Sequence, residues 1–341
     1  MIRRLVRLLG RLRLPALLAL LVVSGAGAAQ TWGQDGLSEI VIDDSRITES
    51  SGLAVSPAER DLIYTVNDSG HDSVVYVVDR TTGEVAGTTT LVGVDTDTDD
   101  LEALAVGADE VLWVADTGDN GADRSDTALY ALPAPGRGAG AVTPRRYPLT
   151  YADGATDVEA LLVDPAGGVG WLVTKGVFGA QVLRLPARRS PGQPITPEPV
   201  PDVDPPVLVT DGVMLPGGDA AVLRTYTAAF VYRLPGWELI ESFALPRQEQ
   251  GESVTALSRG LLLAGSEGSP ALIDEVLLPA RVGRALTRDE PRVRIPRGLE
   301  DGLPDPADDD QPFVLVAVLV GSAVLTMSAA VLLVRRRRAG R

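Results

Sequence analysis

The 341-residue chain has no cysteine, one histidine (His71) and one lysine (Lys175). Without cysteine there is no disulfide, thiol nucleophile, zinc ribbon, iron–sulfur cluster or lipoprotein anchor on an N-terminal Cys. A single histidine excludes a multi-histidine metal centre. Basic charge is scarce over most of the length, with 31 Lys and Arg against 46 Asp and Glu and a net charge of −15. Ten arginines crowd the two ends (Arg3, Arg4, Arg7, Arg11, Arg13, Arg335, Arg336, Arg337, Arg338, Arg341), where no acidic residue occurs. Between them, 21 basic groups face all 46 acidic ones. A surface that acidic repels a phosphate backbone, which excludes nucleic acid as a partner.

The two ends carry the long apolar runs. Residues 1–13 are basic, 14–23 are apolar but too short to span a bilayer, and 24–29 are small, with Ala26-Gly27-Ala28 fitting an A-x-A cleavage site. Residues 1–28 thus read as a secretory signal peptide. Residues 313–334 are uncharged, about 33 Å as a helix, enough to cross the hydrocarbon core. The Arg335–Arg338 run that follows places the 335–341 tail in the cytoplasm by the positive-inside rule, so residues 29–299 are extracellular. The expected organisation is a signal peptide, an extracellular domain, a Pro/Asp-rich stalk at 300–312, one transmembrane helix and a short basic tail at the cell membrane. The tail pattern is also that of cell-wall sorting signals, but Leu303-Pro304-Asp305-Pro306-Ala307 lacks the Thr and Gly of LPxTG, so membrane retention is expected.

Short β-branched runs separated by Gly, Pro and Asp clusters fill residues 38–295, and they repeat. A first strand reads Ser51-Gly-Leu-Ala-Val, Glu102-Ala-Leu-Ala-Val, Glu159-Ala-Leu-Leu-Val, Asp211-Gly-Val-Met-Leu and Glu252-Ser-Val-Thr-Ala. A second starts at Ile63, Leu112, Trp171, Val222 and Leu262, and a third tends to end in Leu-Pro, as at Leu132-Pro133, Leu185-Pro186 and Leu234-Pro235. Repeat starts lie 51, 57, 52 and 41 residues apart. Four strands at that spacing predict an all-β fold, a β-propeller of four-stranded blades. Five blades are favoured, with six if a degenerate blade lies in 186–206 or after Pro279. The fifth repeat lacks a regular fourth strand, and the spare run Ser38-Glu-Ile-Val-Ile-Asp is placed to supply it and close the ring, removing open sheet edges.

In a propeller the first strands line the central channel, and their starts share a face with the loops after the second strands. That brings Glu102, Glu159, Asp211 and Glu252 to one channel mouth, with Glu49, Asp100 and Asp157 two positions before the first three repeat starts. The same face receives Asn67, Asp68, Asp116, Asp119, Asn120, Lys175, Arg224, Tyr226 and Glu267, the candidate ligand-binding residues. Two readings of the four-carboxylate set compete. One is a Ca²⁺ held by Glu102, Glu159, Asp211 and Glu252, since oxygen-only ligands suit a hard cation. The other is a metal-free ring in which the carboxylates accept backbone amides and pair with Lys175 and Arg224. Lys175, alone among thirty arginines, reads as an ammonium needed to bind an anionic ligand group or to close the acidic ring.

Other motifs carry less. Ser69-Gly70-His71-Asp72 is too compact for a catalytic triad and reads as an exposed turn. Residues 95–106 have Asp100 and Val106 where an EF-hand needs Gly and Glu. Gly136-Arg-Gly-Ala-Gly opens no helix and reads as a flexible loop.

Asp99-Asp-Leu-Glu-Ala-Leu-Ala, Trp113-Val-Ala-Asp-Thr-Gly-Asp-Asn with Arg124, Asp157-Val-Glu-Ala-Leu, Val173-Thr-Lys and Gln250-Gly-Glu-Ser-Val resemble a group of exported bacterial β-propeller proteins, often labelled WD40-like or phytase/esterase-like. The phytase-like label implies calcium-dependent phosphate-ester hydrolysis, which wants several basic groups around phosphate. The mouth offers mainly Lys175, Arg224 and Arg124 among many carboxylates. The expected function is a membrane-anchored recognition or scaffold module, binding a protein, glycan or small molecule on its loop face. A calcium-dependent hydrolase or lactonase at the funnel is the alternative, and fold alone does not choose between them.

Overall fold

A computed structural model describes residues 37–287 except 69, 71, 95–98, 166, 168, 169 and 178. The expected signal peptide, stalk, transmembrane helix and basic tail lie outside the described residues, as do Ser69 and His71. Among the described residues no helix is long and apolar enough to cross a membrane.

Five sheets are arranged as blades. The N-terminal strand is β1 (Glu39–Ile42). Blade one is β2 (Ser50–Val55), β3 (Leu62–Asn67), β4 (Val74–Asp79) and β5 (Glu84–Leu91). Blade two is β6 (Leu101–Val106), β7 (Val111–Asp116), β8 (Ala128–Pro133) and β10 (Arg145–Pro148); β9 (Gly138–Val142) lies between its last two strands in sequence. Blade three is β11 (Val158–Val163), β12 (Gly170–Thr174), β13 (Val182–Leu185) and β14 (Glu198–Pro199). Blade four is β15 (Val209–Met214), β16 (Ala220–Thr225), β17 (Ala228–Arg233) and β18 (Glu238–Ala244). Blade five is β19 (Gly251–Ser258), β20 (Leu261–Ser266) and β21 (Ala271–Leu277), completed by β1, which pairs antiparallel with β21 from Glu39↔Asp274 to Ile42↔Ala271. A short helix, α1 (Ala280–Thr287), follows. The count is therefore five: residues 186–206 hold β14 of blade three, and α1 stands where a sixth blade would begin.

The strands read as almost continuous apolar runs because each sheet is covered on both faces. In β4, Val75 and Val77 belong to the core between blades one and two, while Tyr76 and Val78 belong to the core between blades five and one. Five such cores occur, one at each junction between neighbouring blades. The innermost strands touch in the cyclic order β2, β6, β11, β15, β19 and back to β2.

The Gly136-Arg-Gly-Ala-Gly segment departs from its expected loop. Its second half forms β9, which runs parallel to β5 as a fifth strand on blade one, from Gly87↔Gly138 to Leu91↔Val142. A Cβ on Gly87 would lie 2.7 Å from the carbonyl oxygens of both Gly136 and Gly138, so glycine lets the two backbones meet. Side chains of β9 are largely exposed and need no apolar alternation, so the strand left no periodic signal in the sequence.

Candidate functional site: an acidic mouth closed on one lysine

Every innermost strand slips register near its start. The shifts fall between Leu101 and Ala103, Val158 and Ala160, Val209 and Asp211, and Gly251 and Ser253, with the equivalent irregularity between Ser51 and Leu53. A bulge adds one unpaired residue and re-aims its side chain. Those residues are Glu102, Glu159, Thr210 and Glu252; in blade one the extra residue is Gly52. Gly52 has φ +64°, and a Cβ there would lie 2.8 Å from the Leu104 amide nitrogen, so only glycine fits.

This repeated bulge corrects the expected ring at one point. Blade four places Thr210 at the position of Glu102 and Glu159, and Asp211 is one residue out of register. The fully buried Asp211 carboxylate accepts the backbone N–H of Gly212 and of Val254, both at 2.7 Å, tying blade four to blade five. It is spent on the scaffold.

Three buried glutamates remain around Lys175. The lysine follows β12, and its backbone N–H donates to the Asp157 carbonyl at 3.0 Å, which anchors its Cα. Its Nζ lies 2.8 Å from Glu159 Oε1 and 5.9 Å from the centre of the Tyr226 ring. The Glu159 side chain is only 1% exposed, so this close contact makes Lys175 the ion-pair partner of a buried carboxylate. Burial alone would draw the Lys175 ammonium down. Glu159, Tyr226, Glu102 and Glu252 outweigh it and hold the ammonium above the ordinary lysine value.

The carboxylates shift the other way. Burial, then the charges of Glu159 and Asp100, pushes Glu102 well above its usual range, with Lys175 opposing. For Glu159, burial, Asp157 and Glu252 raise the value while Lys175 lowers it. Glu252 is raised chiefly by burial and accepts a 3.1 Å hydrogen bond from Gln250 Nε2. Glu267 is pushed up to about 8 by burial and by Glu252, Asp68 and Glu49. Asp100 rises to about 6, mainly through burial, with Arg124 opposing and Asp157 and Asp116 adding. Asp100 and Glu102 crowd the Cα of Gly118, where a Cβ would strike both carboxylates. Ser51 Oγ donates to the Glu102 carbonyl at 2.9 Å. Two carboxylates packed together cannot both ionise cheaply, so the mouth holds protons as well as charge.

The other expected residues divide between scaffold and rim. Asn67 accepts the Thr48 and Glu49 amides on Oδ1 and donates to the Arg46 carbonyl. Asp116 accepts the Asp100 amide at 3.0 Å and the Arg124 guanidinium at 2.7 Å, and Asp119 accepts the amides of Asp123 and Arg124. Arg224 is fully buried, donating to the carbonyls of Ser253 and Gly265 and to the Gln248 side chain; burial draws it down to about 10. It wedges blade four against blade five and offers nothing to a ligand. Lys175, Tyr226, Glu267 and Asp68 are partly exposed at the mouth, and Asn120 is exposed at a loop tip. Sequence reasoning missed Thr210, for which a one-residue slip in aligning the fourth repeat is responsible, and Gly118, whose role shows only in three dimensions.

No family model matches the chain, and no curated protein does. Among solved structures the chain is similar to a luciferin-regenerating enzyme, at 10% identity and a TM-score of 0.43, over 71% of this chain and 96% of that one. At that identity and score the likeness carries no argument about the site.

The phytase-like resemblance implies calcium, and the residues present do not fit it. Of the four expected ligands, Asp211 is committed to two amides and Glu159 faces the Lys175 ammonium. Among the described residues no three acidic or histidine side chains converge as a metal site.

Proposed function

We propose that the chain is an exported, membrane-tethered β-propeller that acts as a recognition module through its acidic mouth, and that the group it recognises carries positive charge. Residues 1–28 would direct export and residues 313–334 would hold the propeller at the cell surface. The supporting observation is the imbalance around Lys175. Against Glu102, Glu252, Asp100, Asp157 and Glu267 stand the Lys175 ammonium, already ion-paired with Glu159, and two arginines bonded elsewhere, Arg124 acting on Asp100 and Arg224 on Glu252. An anionic ligand would meet that surplus of carboxylate, whereas an amine or guanidinium would relieve it. The Tyr226 ring beside the ammonium adds a face suited to a cation.

The test is thermal unfolding of the purified protein with spermidine, with arginine amide and with acetamide as a neutral control. Stabilisation by the two cations at about pH 9, where Glu267 has given up its proton, that weakens in Glu267→Gln supports the reading. Equal insensitivity to all three contradicts it. Protease accessibility of the propeller on intact cells tests the location separately.

A further inference from the structure

The acidic mouth has an apolar lip beside its lysine. Lys175 leads into Gly176 and Val177, and from the neighbouring connection, between β14 and β15, the Leu208 backbone N–H donates to the Gly176 carbonyl at 3.1 Å. Val177 and Val207 each stand one residue from that bond. They are 56% and 48% exposed, two of the six exposed large apolar side chains among the described residues. Val177 lies two residues from Lys175, a span of at most about 7 Å. On the blade-four side of the ammonium, the centre of the Tyr226 ring is 5.9 Å from Nζ.

The backbone holds this lip in place. Leu208 sits in the left-handed region at φ +57°, where a bulky residue is rarely tolerated unless its surroundings keep it there. Pro205 and Pro206, each with φ locked by its ring, lead into Val207. Gly176 packs so closely on the Gly179 carbonyl that a Cβ would strike it. Little conformational freedom is therefore lost when a ligand covers the two valines. The acid at this junction also has capacity to spare. Glu252, whose charge acts on both Lys175 and Tyr226, is only 6% exposed. Its Oε1 accepts Gln250 Nε2 at 3.1 Å, and its Oε2 accepts no hydrogen bond among the described residues.

We propose that the cation recognised at the mouth carries an aliphatic group, as an alkylammonium or alkylguanidinium does, with its charge on the carboxylates and its hydrocarbon across Val177 and Val207. This rests on the reading of the mouth as a cation site and adds the class of cation. A bare cation would leave both valines wet, and an uncharged hydrocarbon would leave the carboxylates unanswered. A ligand that joins charge and hydrocarbon over about 7 Å satisfies both. Scattered exposed valines need no explanation. These two differ in standing together, on stiffened backbone, within two residues of the lysine or one residue of its loop's anchoring bond. Each two methylenes taken out of water should add on the order of tenfold in affinity.

The experiment is calorimetric titration of the purified full-length protein with 3-methylbutylamine, methylamine and 3-methylbutan-1-ol, at the alkaline pH that leaves Glu267 ionised. It is repeated on a variant carrying both Val177→Ser and Val207→Ser, two exposed positions, with an unfolding profile matching the parent as the sign that it is folded. The expected result is that 3-methylbutylamine binds at least about tenfold tighter than either methylamine or the alcohol, and that the variant loses this advantage. The proposal is overturned if the two amines bind alike, if the alcohol matches the branched amine, or if the advantage survives in the variant. In each of those cases stabilisation by spermidine would still uphold the mouth as a cation site. If neither spermidine nor 3-methylbutylamine acts on the parent protein, the reading of the mouth fails and this inference fails with it.

Discussion

At the residue scale, Lys175 decides what the mouth is. Removing one partner of a buried ion pair leaves the other uncompensated, a loss of about 3–5 kcal/mol. Lys175→Met should therefore cost about that much at pH 8, read as a drop in unfolding free energy in denaturant. The cost should shrink at pH 5, where the surrounding carboxylates take up protons. Glu267 gives a second check. Its carboxyl holds its proton up to about 8 in the folded chain, against an ordinary value of 4.5. Between those values the folded state binds more protons than the unfolded one, so stability present below pH 4.5 is lost as pH rises towards 8. This is the reverse of a salt-bridged acid. The unfolding midpoint should fall over this window, and Glu267→Gln should flatten the fall by on the order of 1–3 kcal/mol, partial exposure weakening the effect. A parent protein whose stability rises from pH 5 to pH 8 contradicts the picture of a proton-holding mouth.

At the element scale, the repeated bulge and the closing strand do the positioning. The side chains Ile40 and Ile42 of β1 face the core between blades five and one, while Glu39 and Val41 face outward. Ile42→Ala should cost about 2–5 kcal/mol in unfolding free energy, as large-to-small changes in a packed core do. A loss below about 1 kcal/mol would mean that β1 does not close the ring. This strand was legible in the sequence because an alternating Glu-Ile-Val-Ile run stood outside the repeat that lacked its fourth strand. The blade count was legible for the same reason: period and strand number survive even where residues diverge. Register was not. Asp211 and Thr210 are neighbours, both polar, and a repeat read by eye accepts either at the strand start. Only the bulge between Val209 and Asp211 shows which residue it re-aims and which two amides it leaves for Asp211. The β9 strand was illegible for a different reason, as a Gly-Ala run on an exposed edge has neither apolar period nor β-branched side chains.

At the scale of the whole molecule, the propeller brings scattered acidic residues from four blades to one opening and sets the Lys175 ammonium among them. Arg124 and Arg224, the other basic groups expected to answer those acids, are instead bonded within and between blades. The sequence located the acidic face through its repeat positions, but it did not show that Lys175 is ion-paired with Glu159 or that the arginines are withdrawn. Those facts depend on how side chains turn within blades two and three and across the junction of blades four and five. The central claim is that the Lys175 ammonium, and not a metal, is the cation resident in this mouth. Its most direct test is thermal unfolding of the purified protein and of Lys175→Met, each in EDTA and in millimolar Ca²⁺. The account predicts a parent protein indifferent to both, and a Lys175→Met variant that is less stable and partly restored by Ca²⁺ entering the vacated position. A parent protein that Ca²⁺ stabilises by about 2.7 kcal/mol, the gain at a hundred times the dissociation constant, with the gain lost in Glu159→Gln, would contradict it.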